Sequence, residues 1–164
     1  MNIGSILLWG FVATVALTSL MAVTHGLGWT RISIPFLLGT MLTPNRDHAL
    51  VLGVAFHMLN GWAFAFLYAA VFESLGRATW WIGSMMGFGH GLFVLAVVMP
   101  MLPGLHRHMV SEYYGPTPNR RLQPPGFMAL NYGRQTPIVT TAAHILYGAI
   151  IGAFYDVSVA GVRL

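Results

Sequence analysis

The stretch Ala49–Phe72, ALVLGVAFHMLNGWAFAFLYAAVF, contains no Asp, Glu, Lys or Arg. At 1.5 Å rise per residue a helix of this length exceeds the roughly 30 Å of a bilayer's hydrocarbon core. It therefore reads as a transmembrane helix. Three further stretches of similar length, Ile3–Thr24, Trp80–Leu102 and Pro137–Val157, read the same way, their one charged side chain being Asp156 at the very end of the last. Nothing cationic precedes the apolar run of the first, so it reads as a retained membrane helix and not as a signal peptide.

The composition of the 164-residue chain agrees. It is 56% hydrophobic and 7% charged, where a soluble domain carries about 25% charged residues. Eight cationic and four acidic side chains cannot clothe a water-facing surface, so the apolar surface must face lipid. The expected fold is an all-α integral membrane protein, a single domain over residues 1–164 built as a four-transmembrane-helix bundle.

Absent residue types exclude several chemistries. With no cysteine there are no disulfides, thiolate metal sites or cysteine nucleophiles. Every cation is arginine, which removes lysine Schiff-base chemistry and the phosphate-loop lysine. No G-x-S-x-G, H-E-x-x-H or dinucleotide fingerprint occurs. Gly87-Phe88-Gly89-His90-Gly91 lies inside an apolar span, where it reads as a packing face. The net charge of +4 is spread between apolar segments, unlike a nucleic-acid footprint, so nucleic acid is not an expected partner. An enzyme is not expected either.

Between the first two spans, Ile32–Thr43 is apolar but too short to cross, and Pro44-Asn45-Arg46-Asp47 stops it. It reads as an interfacial or re-entrant segment that must pack on the bundle. Pro103–Thr136 is the long polar connection, including Tyr114-Gly115-Pro116-Thr117-Pro118, and reads as an irregular but ordered loop before the last helix. Arg31, Arg46, Arg107, Arg120, Arg121 and Arg134 fall on one side of a four-span arrangement, Arg77 and Arg163 on the other. The positive-inside rule then makes the first and third connections cytoplasmic and both termini extracytoplasmic. Trp9, Trp29, Trp80 and Trp81 stand where interfacial aromatic belts form.

The chain also contains an internal likeness. Ala55-Phe56-His57-Met58-Leu59-Asn60-Gly61 aligns with Ala142-Ala143-His144-Ile145-Leu146-Tyr147-Gly148, and Tyr68 then aligns with Tyr155. A weaker pair, Gly10-Phe11 with Gly87-Phe88, relates the first and third spans. The pattern reads as a two-helix repeat about an axis along the membrane normal, against the alternative of coincidence among common membrane residues.

The side chains most able to carry chemistry are His57, His90 and His144, ionisable groups inside spans where such groups are costly and usually face the interior. Counted from the arginine-rich side, His57 and His144 lie about 11–12 Å deep and His90 roughly 18 Å. Glycines at steps of three and four accompany each: Gly53 and Gly61; Gly83, Gly87 and Gly91; Gly148 and Gly152. Asn60 and Asp156 extend two of these faces. Neutral imidazoles from facing helices are ligands for haem b or another metal. They equally well hydrogen-bond between helices and pin the packing. Met99, Met101, His106, His108 and Met109 form a second group whose thioether and imidazole donors suit copper, although methionine is also ordinary apolar filler. Asp47 is placed to cap the second span. Glu73 and Arg77 are expected to pair across the short second connection. Asp156, a carboxylate at a helix C-terminus, is electrostatically unfavourable there and so draws notice.

Pro100-Met101-Leu102-Pro103-Gly104-Leu105-His106, Met128-Ala129-Leu130-Asn131-Tyr132-Gly133-Arg134 and Ala143-His144-Ile145-Leu146-Tyr147-Gly148-Ala149 together resemble small four-span bacterial inner-membrane proteins. The resemblance implies that topology and that membrane, and brings no activity with it.

The leading functional expectation is a non-catalytic accessory or assembly subunit of a larger membrane complex, with other membrane subunits, a homo-oligomer and the lipid bilayer as partners. It rests on small size, glycine-lined faces and the absence of catalytic motifs. The second is a haem- or copper-binding electron-transfer protein using the three histidines. The third is an oligomeric small transporter or channel.

Overall fold

The computed structural model describes residues 1–109 and 122–158. The Tyr114–Pro118 part of the expected loop, together with Arg120, Arg121 and Arg163, lies outside them. The described chain is all-helical, and four of its helices are long and apolar enough to cross a membrane.

The first, α1 (Ile3–Gly26), starts where the Asn2 side chain accepts the Ser5 N–H at 3.0 Å. This satisfies one of the donors that every helix N-terminus leaves unpaired. A short helix α2 (Ile34–Leu42) follows, with Pro35 in its first turn. The long α3 (Arg46–Leu75) begins under Asn45, whose side chain accepts from the Asp47 and His48 N–H groups, and ends at Gly76 in a left-handed cap with φ 66°. Asp47 is thus not the cap expected of it. Asn45 holds that place because it precedes the helix and its side chain reaches forward to both amides, while Asp47, two residues on, sits in the first turn.

A rod of 26 residues, Trp80–Leu105, comprises α4 (Trp80–Phe93), a π-helical turn at Val94–Val98 and α5 (Met99–Leu105). Pro100 explains the wide turn. It has no N–H to return to the carbonyl four residues earlier, and the chain relaxes so that the Met99 N–H reaches Val94 O instead. The helix runs on through Pro103, so the expected irregular loop begins three residues later than the sequence places it. A 3-10 segment, Phe127–Tyr132, carries Met128 and Ala129 at φ 53° and 57°, a left-handed conformation costly for residues with a Cβ. The last helix, α6 (Thr136–Phe154), breaks at Tyr155 and does not reach Val157.

Packing follows the small residues. A Cβ on Gly39, Gly53, Gly83, Gly87, Gly148 or Gly152 would overlap neighbouring backbone, and one on Gly10 or Gly61 a neighbouring side chain. α4 lies on α6 through Gly83 against Gly148 O and Gly87 against His144 O, while Gly148 and Gly152 face Gly83 O and Thr79 O in return. α2 lies on the start of α3, with Gly39 against Ala49 O and Gly53 against Pro35 O. α1 joins the two halves, touching α3 on one side and α6 on the other. Gly61 of α3 faces Thr14, and Gly10 of α1 faces Ala65 and Trp62. The glycines that align between the two halves, Gly10 with Gly87 and Gly61 with Gly148, thus perform the same task in each, closing a helix onto its partner.

The ring of helices is not closed evenly. α3 and α4 barely approach, because α1 and α6 stand between them. They meet through aromatic side chains: Phe64 stacks on His90 with centroids 3.8 Å apart, and Tyr68 lies beside the same imidazole.

The expected Glu73–Arg77 pair does not form. Glu73 instead meets the Met1 ammonium at 3.3 Å, accepts the Tyr155 hydroxyl at 2.7 Å and the Ser158 N–H at 3.1 Å. Arg77 sits over Trp81, 5.8 Å from the ring. The left-handed turn at Gly76 carries Arg77 away from α3, so chain ends distant in sequence reach the carboxylate first. Its bond to Glu73 and its own burial push the Tyr155 hydroxyl up to about 12, with burial the larger cause.

Candidate functional site

Between the helices lies a cavity of about 160 Å³ to which every α-helix contributes. Its polar end is made by Thr14 of α1, His57 and Asn60 of α3, His90 of α4, and Thr140, His144 and Tyr147 of α6. Its apolar end, toward α2, is made by Leu17, Met21, Ile34, Leu38, Met99 and Leu102 among others. The π turn supplies Val94 and Val98 to this wall. Such turns recur at functional sites because they re-aim the side chains that follow.

The structure brings the three sequence-selected histidines to this one cavity, together with Asn60. His90 and His144 meet edge to face with centroids 4.6 Å apart. The Nδ1 of His144 lies 2.7 Å from Thr140 O, so Nδ1–H donates to the carbonyl and Nε2 keeps its lone pair. Tyr68 OH lies 3.5 Å from His90 Nδ1, at the limit of a hydrogen bond. The Tyr147 hydroxyl donates to Gly61 O at 2.5 Å, bridging α6 to α3.

Two polar atoms stand apart. His57 Nε2 and Thr140 Oγ1 are buried and have no hydrogen-bond partner among the described residues. In a helix a threonine hydroxyl ordinarily bonds a carbonyl one turn back, as Thr14, Thr18, Thr24 and Thr40 all do here. Thr140 does not. Buried polar groups without a protein partner are rare, and each asks for an explanation in a bound water or ion, a guest, or a role.

For the proposed metal and haem ligands the geometry is specific. Among the described residues no group of three or more His, Asp or Glu is arranged to hold a metal ion. The edge-to-face contact of His90 with His144 leaves no slot between those rings for a porphyrin.

The second sequence-selected group is dispersed. Met99 is buried and borders the cavity, Met101 is 54% exposed, and Met109 is buried near the isolated bridge to Leu122. His106 and His108 instead fasten α2. His106 Nε2 lies 3.0 Å from Leu37 O and 3.2 Å from Thr40 Oγ1, its Nδ1 accepts the His108 N–H at 3.2 Å, and His108 Nδ1 lies 2.5 Å from Thr40 O. Burial holds the His106 imidazole below its usual value of 6.5, outweighing the carbonyl of Leu37, which acts the other way. Asp156 is exposed beyond the end of α6, its N–H donating to Ser5 Oγ at 3.1 Å. It is not part of the cavity.

Sequence reasoning did not select Thr140, Phe64, Tyr68 or the π turn. The turn had a signal in Pro100; Thr140 had none, since threonine is ordinary in apolar helices. Comparison with protein-family models, curated proteins and solved structures finds no match.

Proposed function

We propose that this chain is a non-catalytic, multi-pass protein of a bacterial inner membrane whose central cavity binds a membrane-dissolved amphiphile. The head of that amphiphile is a single ring bearing an oxygen able to hydrogen-bond, the chemistry of a membrane phenol or quinone. The observation that carries the reading is the pair of buried polar atoms without partners, His57 Nε2 and Thr140 Oγ1, in one cavity. The volume supports a ring: a cavity near 150 Å³ lined by apolar groups takes up benzene, and this one is about 160 Å³ with a polar end added.

Four apolar helices and the arginine distribution support the membrane placement. Arg31, Arg46, Arg107 and Arg134 lie at one end of the bundle and Arg77 at the other. The first end is then cytoplasmic, and the start of α1 and the end of α6 extracytoplasmic.

The other readings draw less from the geometry. An accessory subunit was expected from glycine faces, but Gly39, Gly53, Gly83, Gly87, Gly148 and Gly152 are all taken up by packing within the chain. Transport needs an opening at each end, whereas Tyr68, Phe72 and Tyr155 fill the interior toward Glu73. A macrocycle exceeds the cavity.

The test is binding of a short-tailed benzoquinone and its quinol to the protein in lipid nanodiscs, followed by thermal unfolding. Saturable one-to-one stabilisation, lost in His57→Leu and Thr140→Val, supports the reading. A melting temperature that does not move at saturating probe contradicts it.

A further inference from the structure

A second cavity, of about 440 Å³, lies at the arginine-rich end between α1, α2, the start of α3 and the segment 122–132. Its polar lining is His25, Arg31, Ser33, Arg46 and Gln123. Arg31 is held in place by the 3-10 segment: its N–H donates to Tyr132 O at 2.7 Å and its guanidinium to Asn131 O. A guanidinium has five N–H donors, so most remain for another acceptor. Arg46 opens α3, whose helix dipole adds positive potential at this end, although the Asn45 side chain already takes the Asp47 and His48 N–H groups. Among the described residues neither arginine takes part in an ion pair, the one such pair being Met1 with Glu73 at the opposite end; Glu112 lies outside them.

The apolar part of the lining gives the guest its second property. Phe36, Leu37 and Leu50 wall the cavity, and Leu50 is 40% exposed on the outer face of α3. Cations at the mouth with an apolar wall running outward along a helix match an acidic phospholipid, phosphate at the arginines and acyl chain along Phe36 and Leu50. Pockets of this kind on the cytoplasmic side of membrane bundles bind anionic headgroups. Free phosphate shares the charge but has no use for the apolar wall.

We infer that this cavity is a site for one anionic phospholipid, held through its phosphate by Arg31 and Arg46. The inference rests on the membrane placement proposed above and is independent of the ligand proposed for the central cavity.

The experiment is native mass spectrometry of the full chain released from nanodiscs of mixed phosphatidylglycerol and phosphatidylcholine. The expected result is one retained phosphatidylglycerol per chain. Retention should fall about fivefold in Arg46→Gln, the loss expected for one interfacial arginine, and further in Arg31→Gln with Arg46→Gln. Arg46 takes part in no side-chain hydrogen bond or ion pair among the described residues, so its variant keeps the test valid if Arg31→Gln fails to fold. Arg77→Gln, at the other end, should leave retention unchanged. Equal retention of the two lipids, or phosphatidylglycerol retention indifferent to Arg46→Gln, overturns the proposal. So does displacement of the lipid by millimolar inorganic phosphate, which would assign the site to the free anion. Failure to enter nanodiscs at all would overturn the membrane placement instead, a distinguishable result.

Discussion

The imidazoles of His90 and His144 meet edge to face, 4.6 Å between centroids, because glycines on α4 bring the two helices together at this level. Gly87 lies against His144 O, and a Cβ on Gly91 would stand 3.3 Å from His144 Cβ. The glycines therefore set the width of the cavity's polar end as well as the closure of the bundle. Gly87→Ala should destabilise by about 1–3 kcal/mol, the usual cost of overpacking. Gly89, two residues away, has nothing within 4 Å of where a Cβ would stand, so Gly89→Ala should stabilise by about 0.5–1 kcal/mol through helix propensity. Denaturant unfolding of both variants in mild detergent checks the contrast. Equal losses would mean that glycine content alone, and not the interface, matters.

Lowering the pH should loosen α2. The buried His106 imidazole has its proton on Nε2, facing Leu37 O, and accepts the His108 N–H on Nδ1. A second proton on Nδ1 would face that N–H. Because burial puts its folded value below 6.5, the unfolded chain binds the proton first. Stability is then constant above about pH 6.5 and falls as the pH drops below it toward the folded value. Hydrogen-exchange protection at Phe36–Leu42, taken relative to the intrinsic exchange rate at each pH, should fall between pH 7 and pH 5, and His106→Gln should remove most of that dependence. Unchanged protection across the range would contradict the assignment.

Tyr147→Phe removes the one side-chain hydrogen bond between α6 and α3 among the described residues, donated to Gly61 O at 2.5 Å. Since these helices have little other contact, the loss should approach about 1.7 kcal/mol, the upper end for such bonds in membrane proteins. A loss within error of zero in the unfolding curve would show that packing on α1 and α2 is enough to hold α3 in place.

Thr140→Val and His57→Leu should behave in the opposite way from most core changes. Each removes a buried polar atom that has no partner, so the unliganded protein should be unaffected or gain about 1 kcal/mol, while binding of the ring-headed probe is lost. Parallel loss of stability and binding would mean these atoms are structural.

The long helices were legible in the sequence because a bilayer demands one simple property, some twenty apolar residues, and little else in a chain this poor in charge mimics it. The three histidines were legible for the same reason, as costly groups in apolar spans. Ionisable residues nearer the ends misled, since Glu73 and Arg77 are close in sequence but separated by the turn at Gly76. The partners of Glu73 are Met1, Tyr155 and Ser158, brought there by the whole bundle. Thr140 is conspicuous only by a bond it does not make, which no sequence pattern records. The same holds for the second cavity, where Arg31 and Arg46 are set on one mouth by α2 folding back onto Ala49.

The most direct measurement is the ¹⁵N-histidine spectrum of the protein in nanodiscs, titrated with a short-tailed benzoquinol. The account predicts a saturable one-to-one shift of the His57 Nε2 signal, abolished in His57→Leu and in Thr140→Val, with His106 and His108 unmoved. A His57 signal that stays fixed through saturation would contradict it.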